Sequence, residues 1–402
     1  MTDTADVVVV GGGVIGTSIA WALSARGVKR VTLVEQGALA SGASGRSSAI
    51  VRMHYTTEAN ARLALASLPL FTHWSDVFGG APVFTPTGFM ALVGGGDVDA
   101  LDRNVAMLQR IGVKTSRLTR DDINELQPMV ALDDLGGAAY EPDGGYASPA
   151  DVVEGFARGA GRHGARMLAW TRVARLVRHQ SRVIGVDTSR GRIEAGAVVV
   201  ATGAWAGPLC RAAGVEVPVR PQAIDTAAVQ RPPGLAAPHM TLIDHVLGTY
   251  FRPESGTMTL VDLPCSEAID PDAASTSVPP DAPAVAAQLL TRRFPAMADA
   301  SFIRGYRAFD GYSPDHHAIL GRVEGLEGLY LATAFSGSGF KLAPAVGVCL
   351  AELVTEGQAK TVDIRPFRPG RFAEGRRVEA RDPYTPAPAL DASADEAPSP
   401  GR

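Results

Sequence analysis

The chain has 402 residues, 46% of them hydrophobic and 20% charged, a length that predicts two or three domains around a large buried core. Its 38 Lys and Arg against 42 Asp and Glu, with no long run of either sign, exclude a binder that grips nucleic acid through concentrated cations. Cys210, Cys265 and Cys349 are odd in number and far apart, which excludes a disulfide framework and a CxxC site and fits a reducing cytoplasm.

Residues 7–25 carry no charge. They follow Asp3 and Asp6 rather than the positive segment of a secretory signal, and Gly11, Gly12, Gly13 and Gly16 do not suit a membrane span. The four valines Val7 to Val10 predict a buried parallel strand instead. The glycines predict a tight turn, Val14 to about Gly27 a helix, and Val31-Thr32-Leu33-Val34 a second strand ending at Glu35. This βαβ unit carries G-x-G-x-x-G at Gly11, Gly13 and Gly16. Gly11 allows the sharp turn, Gly13 lets a pyrophosphate approach the backbone, and Gly16 lets the helix lie close on the sheet. Val14 and Ile15 open the helix, whose unpaired N–H groups and positive dipole end favour phosphate. Glu35, followed by Gln36, stands where a carboxylate accepts both ribose hydroxyls, which selects FAD or NAD over NADP.

Residues 40–52 are small and polar, with Ser41, Ser44, Ser47 and Ser48 beside the two arginines Arg46 and Arg52. In isolation they would read as a flexible linker. Directly after a ribose-binding acid they read as the loop that follows the dinucleotide. The combination resembles the D-amino-acid oxidase and sarcosine oxidase superfamily of FAD enzymes.

Later segments extend the resemblance from about residue 5 to 370. A predicted hairpin at 185–195 leads into the strand and turn Ala197-Val198-Val199-Val200-Ala201-Thr202-Gly203-Ala204-Trp205, similar to the superfamily's second FAD-contacting strand. Val173, upstream, falls where the family holds the adenine. Tyr250 opens a segment similar to a strand of the family's substrate-side sheet. Leu329 to Ala332 predict a strand, followed by the turn Phe335-Ser336-Gly337-Ser338-Gly339-Phe340-Lys341 and a helix to about Glu356. A second glycine turn at a helix N-terminus suits the edge of a reduced, anionic flavin.

The resemblance implies an α/β plus α+β fold: a Rossmann-like, two-dinucleotide-type FAD domain with an inserted substrate domain on a mixed or antiparallel sheet. The FAD domain would take residues 1–80, 146–217 and 305–375, and the substrate domain 81–145 and 218–304. Residues 269–283 read as a surface loop, and 383–402 as a tail with too little apolar surface to order itself. The cofactor-binding candidates are Gly11, Gly13, Val14, Ile15, Gly16, Glu35, Gln36, Ser41, Ser44, Arg46, Ser47, Ser48, Val173, Ala201, Thr202, Gly203, Trp205, Gly337, Ser338, Gly339, Phe340 and Lys341. Arg304 to Asp310, where some sarcosine oxidases attach flavin through a cysteine, contain none, so FAD is expected to be non-covalent.

Oxidising an amine by hydride transfer needs the C–H about 3–3.5 Å from flavin N5 and the amine uncharged, so the protein needs a handle on the rest of the substrate. In sarcosine-type members an arginine and a lysine hold the substrate carboxylate. The matching positions are Arg52 and Lys341, one of only four lysines beside Lys29, Lys114 and Lys360. Tyr250 matches a pocket-lining tyrosine, or is an ordinary half-buried strand residue. His54 could touch substrate or be structural. His316 and His317 beside Asp315 lack further metal ligands at suitable spacing and read as a loop near the flavin.

The expected activity is FAD-dependent oxidation of a small carboxylated amine or amino acid, N-methyl, cyclic or primary, to an imine, with O2 or another acceptor. The expected partners exclude nucleic acid and include a homo-oligomer or hetero-complex. The lysine that activates O2 in sarcosine oxidases matches about Thr259, with no lysine near it, which weakens a fast-oxidase reading and leaves room for a dehydrogenase or a slow or specialised oxidase. Two alternatives stay open: a flavin subunit or non-catalytic flavoprotein, and an NAD-dependent dehydrogenase, which would explain residues 7–35 but not 197–205 or 335–341.

Overall fold

The computed structural model of the chain describes residues 3–235 and 238–386. The valines end the strand Asp3–Val10, which lies between Val31–Val34 and Gly191–Val200, both parallel to it. A strand paired on both edges and covered on both faces needs no polar alternation; accordingly Val8 and Val9 are fully buried. The sheet extends through Leu329–Thr333 and Ile319–Arg322 on one flank and Arg166–Leu168 on the other. The strands Val173–His179 and Arg182–Thr188 add a hairpin, antiparallel to the first half of Gly191–Val200.

The helix Val14–Ala25 covers this sheet and meets the helices Pro149–Arg162 and Gly339–Glu356. Its fit against the last is tight: a Cβ on Gly347 would stand 2.2 Å from Ser18 Oγ, and that hydroxyl donates to the Ala343 carbonyl at 2.8 Å.

A second sheet runs in the order Ser301–Tyr312, Arg220–Gln230, Met258–Leu263, Thr249–Glu254, Thr241–Asp244, Phe89–Val93, Gly137–Glu141, Ser116–Leu118. Every pairing is antiparallel except that of Thr241–Asp244 with Phe89–Val93. The helix Ala282–Arg293 packs on one face, where Leu289, Leu290 and Phe294 join Val261, Leu263 and Phe251 in one core. The other face turns toward the first sheet.

Three boundaries differ from expectation. The strand Ser301–Tyr312 runs through the expected division at 304/305, because it pairs along its length with Arg220–Gln230. The 269–283 segment is irregular up to the start of the helix Ala282–Arg293, but it is more than a surface loop. Asp272 accepts from Trp205 Nε1 at 2.8 Å and pairs with Arg172 at 3.1 Å, drawing it over the first domain. Of the expected tail, residues 383–386 are docked: the Thr385 hydroxyl donates to Asp97 at 2.8 Å, and the Tyr384 ring stacks on His54 at 5.9 Å. Residues 387–402 lie outside the described residues. Among the described residues no helix is long and apolar enough to cross a membrane.

Candidate active site

A cavity of about 1040 Å³ opens between the two sheets, at the upper end of the ~300–1,000 Å³ usual for ligand pockets. Its wall includes every sequence candidate for cofactor and substrate contact except Gly16, His54 and Lys341.

One end is the βαβ turn. Gly11 has φ +111°, and a Cβ there would stand 2.4 Å from the Ala201 carbonyl oxygen. Gly16 sits behind the wall: its Cβ would lie 1.9 Å from the Gly11 oxygen, so only glycine lets the helix approach. Val14 N–H donates to Ser44 Oγ at 3.0 Å, tying the 40–52 loop to the helix N-terminus. Glu35 Oε2 accepts from Gly12 N–H at 2.6 Å and Oε1 from Gly37 N–H at 2.8 Å. A carboxylate has about four acceptor sites, so two remain for ribose hydroxyls. Arg46 turns back on its own loop, bonding the Ser41 carbonyl. Val173, Trp205 and the loop residues Asp270, Pro271 and Asp272 close this end.

The other end is built by the second glycine turn. Ala334, Ser336 and Gly337 all have positive φ, at +55°, +50° and +80°. Asp310 pins the turn, accepting from Gly337 N–H at 2.7 Å and Gly311 N–H at 2.8 Å. Burial raises its pKa, partly offset by those two donors and by Lys341.

Arg52 reaches this end of the cavity over the rings of Tyr55 at 4.4 Å and Phe89 at 5.7 Å, and its Nε is buried without a hydrogen-bond partner. The Lys341 amine, buried beside it, donates to the Gly337 carbonyl at 3.4 Å, its one hydrogen bond among the described residues. Burial first, then the like charge of Arg52, push it well below the usual lysine range, against the pull of Asp310. Among the described residues neither cation forms an ion pair within 4.0 Å.

His54 is not on the cavity wall. Its Nε2 lies 2.8 Å from the Tyr384 hydroxyl, and burial followed by the charges of Arg52 and His245 pushes its pKa well below the usual imidazole range. His316 and His317 are on the wall, and among the described residues no three His, Cys, Asp or Glu side chains gather as metal ligands.

Thr259 does not face the cavity. It is fully buried, with its hydroxyl 2.9 Å from His239 Nε2, because strand side chains alternate and this one falls on the helix-covered face. The residue that this strand turns into the cavity is Asp262, which the sequence reading missed together with Tyr55, Asn60, Asp310 and Tyr312. The alternation of buried Thr259 and Val261 was the one available signal for Asp262.

Residues 6–353 match the family of FAD dependent oxidoreductases. The chain is 28% identical over 377 residues to 4-methylaminobutanoate oxidase (formaldehyde-forming) of Paenarthrobacter nicotinovorans, covering 90% of this chain but 45% of that longer protein. It is 28% identical over 380 residues to glycine oxidase of Geobacillus kaustophilus, covering 91% of this chain and 97% of the other. The solved structure of L-proline dehydrogenase from P. horikoshii superposes with a TM-score of 0.87 at 28% identity, over 94% of this chain and 100% of that one. With a shared fold and a match over most of its length, the chain belongs to the family of FAD-dependent oxidoreductases.

Proposed function

We propose that this protein oxidises a small carboxylated amine or amino acid, N-methyl, cyclic or primary, to the imine. One observation carries the reading: Arg52, whose buried Nε has no hydrogen-bond partner, and the buried Lys341 amine come together at the glycine-turn end of the cavity, and among the described residues neither forms an ion pair within 4.0 Å. An arriving carboxylate relieves their mutual repulsion and satisfies the open Arg52 donor. The relatives named for methylaminobutanoate, glycine and proline support this class, since each of those compounds joins an amine to a carboxylate.

The cavity fits FAD. Glycine leaves backbone open at Gly11 and Gly13, Glu35 keeps free acceptor sites, and the second turn offers room for a flat ring system. Bound FAD supplies the hydride acceptor; the chain's own residues hold the substrate and exclude water. No cysteine lies on the cavity wall among the described residues, which supports non-covalent binding. Three unpaired cysteines suit a cytoplasmic enzyme.

Anaerobic mixing of the purified yellow protein with sarcosine, proline, glycine and D-amino acids tests the reading: at least one must bleach the flavin. A colourless protein, or a yellow one that none of them bleaches, removes it. A carboxyl, not a cation, faces the cavity from the Met258–Leu263 strand, so we expect reoxidation by a dye or partner carrier to outpace reoxidation by O2. Stopped-flow traces with O2 as the faster oxidant would refute that.

A further inference from the structure

Five carboxyl residues lie on the cavity wall: Glu35, Asp262, Asp270, Asp272 and Asp310. Glu35 and Asp310 hold backbone N–H groups with both oxygens. Asp270 accepts from the Asp272 backbone, and Asp272 from Trp205 and Arg172, in the loop at the far end. Asp262 is left with its Oδ1 buried and unpartnered.

Its setting is polar on one side only. Asp262 stands opposite Thr226 on one neighbouring strand and, one step beyond the Phe251–Val261 pair, opposite Tyr250 on the other. The Tyr250 and Thr226 hydroxyls lie 3.3 Å apart. Tyr250 also joins the apolar cluster around Phe89, the ring over which Arg52 lies, so this corner adjoins the cation pair. A substrate held by its carboxylate at Arg52 and Lys341 has a cationic amine to place, and an unpaired carboxyl nearby is the group to receive it.

We infer that Asp262, flanked by the Tyr250 hydroxyl, binds the substrate amine and removes its proton. The ammonium N–H bond breaks, an Asp262 O–H bond forms, and the nitrogen lone pair is freed; the proton then passes to solvent. The inference rests on the proposed amine oxidation. The charged and titratable groups that act on Asp262 are Tyr250 and Tyr312 and, from the other face of the sheet, Asp225, itself paired with Arg307 at 2.7 Å. Burial raises Asp262 to about 8, with Asp225 adding to the rise and Tyr250 opposing it. A base in that range is well matched to an amine near neutral pH. The ionised form is the active one, so flavin reduction should rise with pH through about 8 and level off above it.

Asp262→Asn tests this on the dithionite-reduced holoenzyme, where binding is read without turnover. Calorimetry should show sarcosine and L-proline weakened about tenfold or more, and methoxyacetate and tetrahydrofuran-2-carboxylate, with oxygen in place of nitrogen, changed by less than about twofold. Tyr250→Phe, which leaves the carboxyl in place, should give the same selectivity at about threefold. In anaerobic reduction Asp262→Asn should lose the pH limb near 8, and Asp262→Glu should restore it. Equal weakening of both probe sets, or a retained limb, overturns the inference. A wild-type protein that binds none of the four probes instead counts against the proposed function.

Discussion

The two ends of the cavity are made differently. The βαβ end presents backbone: Gly11, Gly13, the helix N-terminus, and a Glu35 carboxylate braced by two N–H groups. The substrate end presents side chains from distant segments: Arg52, Tyr250, Asp262, Asp310 and Lys341. Where recognition is by backbone, glycine spacing records it within about thirty residues of chain. Where it is by side chains brought together by a second sheet, no local spacing records it.

The sharpest way to break this contrast is at Gly11. A valine there meets the Ala201 oxygen and a backbone at φ +111° that a β-branched residue rarely adopts. We expect FAD affinity to fall about a hundredfold or more, equivalent to about 3 kcal/mol, so that the protein purifies colourless. A yellow Gly11→Val protein would show that the turn is not the seat of the cofactor. At the opposite end, Arg52→Leu and Lys341→Met should each lower kcat/KM for a carboxylated substrate by about 1.5–3 kcal/mol while FAD absorbance is retained. Unchanged kinetics in both variants would dissolve the carboxylate clamp.

A separate effect, on stability rather than activity, concerns Glu141, which lies beneath the Arg52 segment and accepts from Met53 N–H at 2.8 Å. Burial raises it to about 7, outweighing that N–H donor and the Arg52 charge. The folded state then holds this proton more tightly than the unfolded chain, so its contribution to stability falls as pH climbs from the ordinary glutamate range to about 7. Glu141→Gln removes the slope. The melting-temperature difference, variant minus wild type, should grow between about pH 5 and 7 and stay level above, and a flat difference would show the carboxyl to be ionised throughout.

Legibility followed the same divide. The strand–turn–helix–strand at the N-terminus, the hairpin before Ala201 and the strand–turn–helix around Gly337 were readable, because each is a local pattern of apolar runs and glycines. The order of the second sheet was not, since its neighbours join segments such as Phe89–Val93 and Thr241–Asp244 that share no local signal. Thr259 was matched only approximately to the family's O2-activating lysine, because the strand's phase is not fixed without knowing which face the helix Ala282–Arg293 covers. Lys341 was found by its motif, yet its ammonium stands behind the wall, a placement set by burial that composition does not report. The docking of Tyr384 was missed because one aromatic in a Pro/Ala tract carries no periodicity.

The central pairing of the first sheet also bears on how the protein is made. Val10 pairs with Val200, and Val200 with Leu331. A growing polypeptide therefore has no finished seat for its dinucleotide until the segment around Leu331 has left the ribosome. Such distant pairings also make for slow folding. FAD bound at that seat stabilises the folded chain by mass action, a contribution the apoprotein lacks.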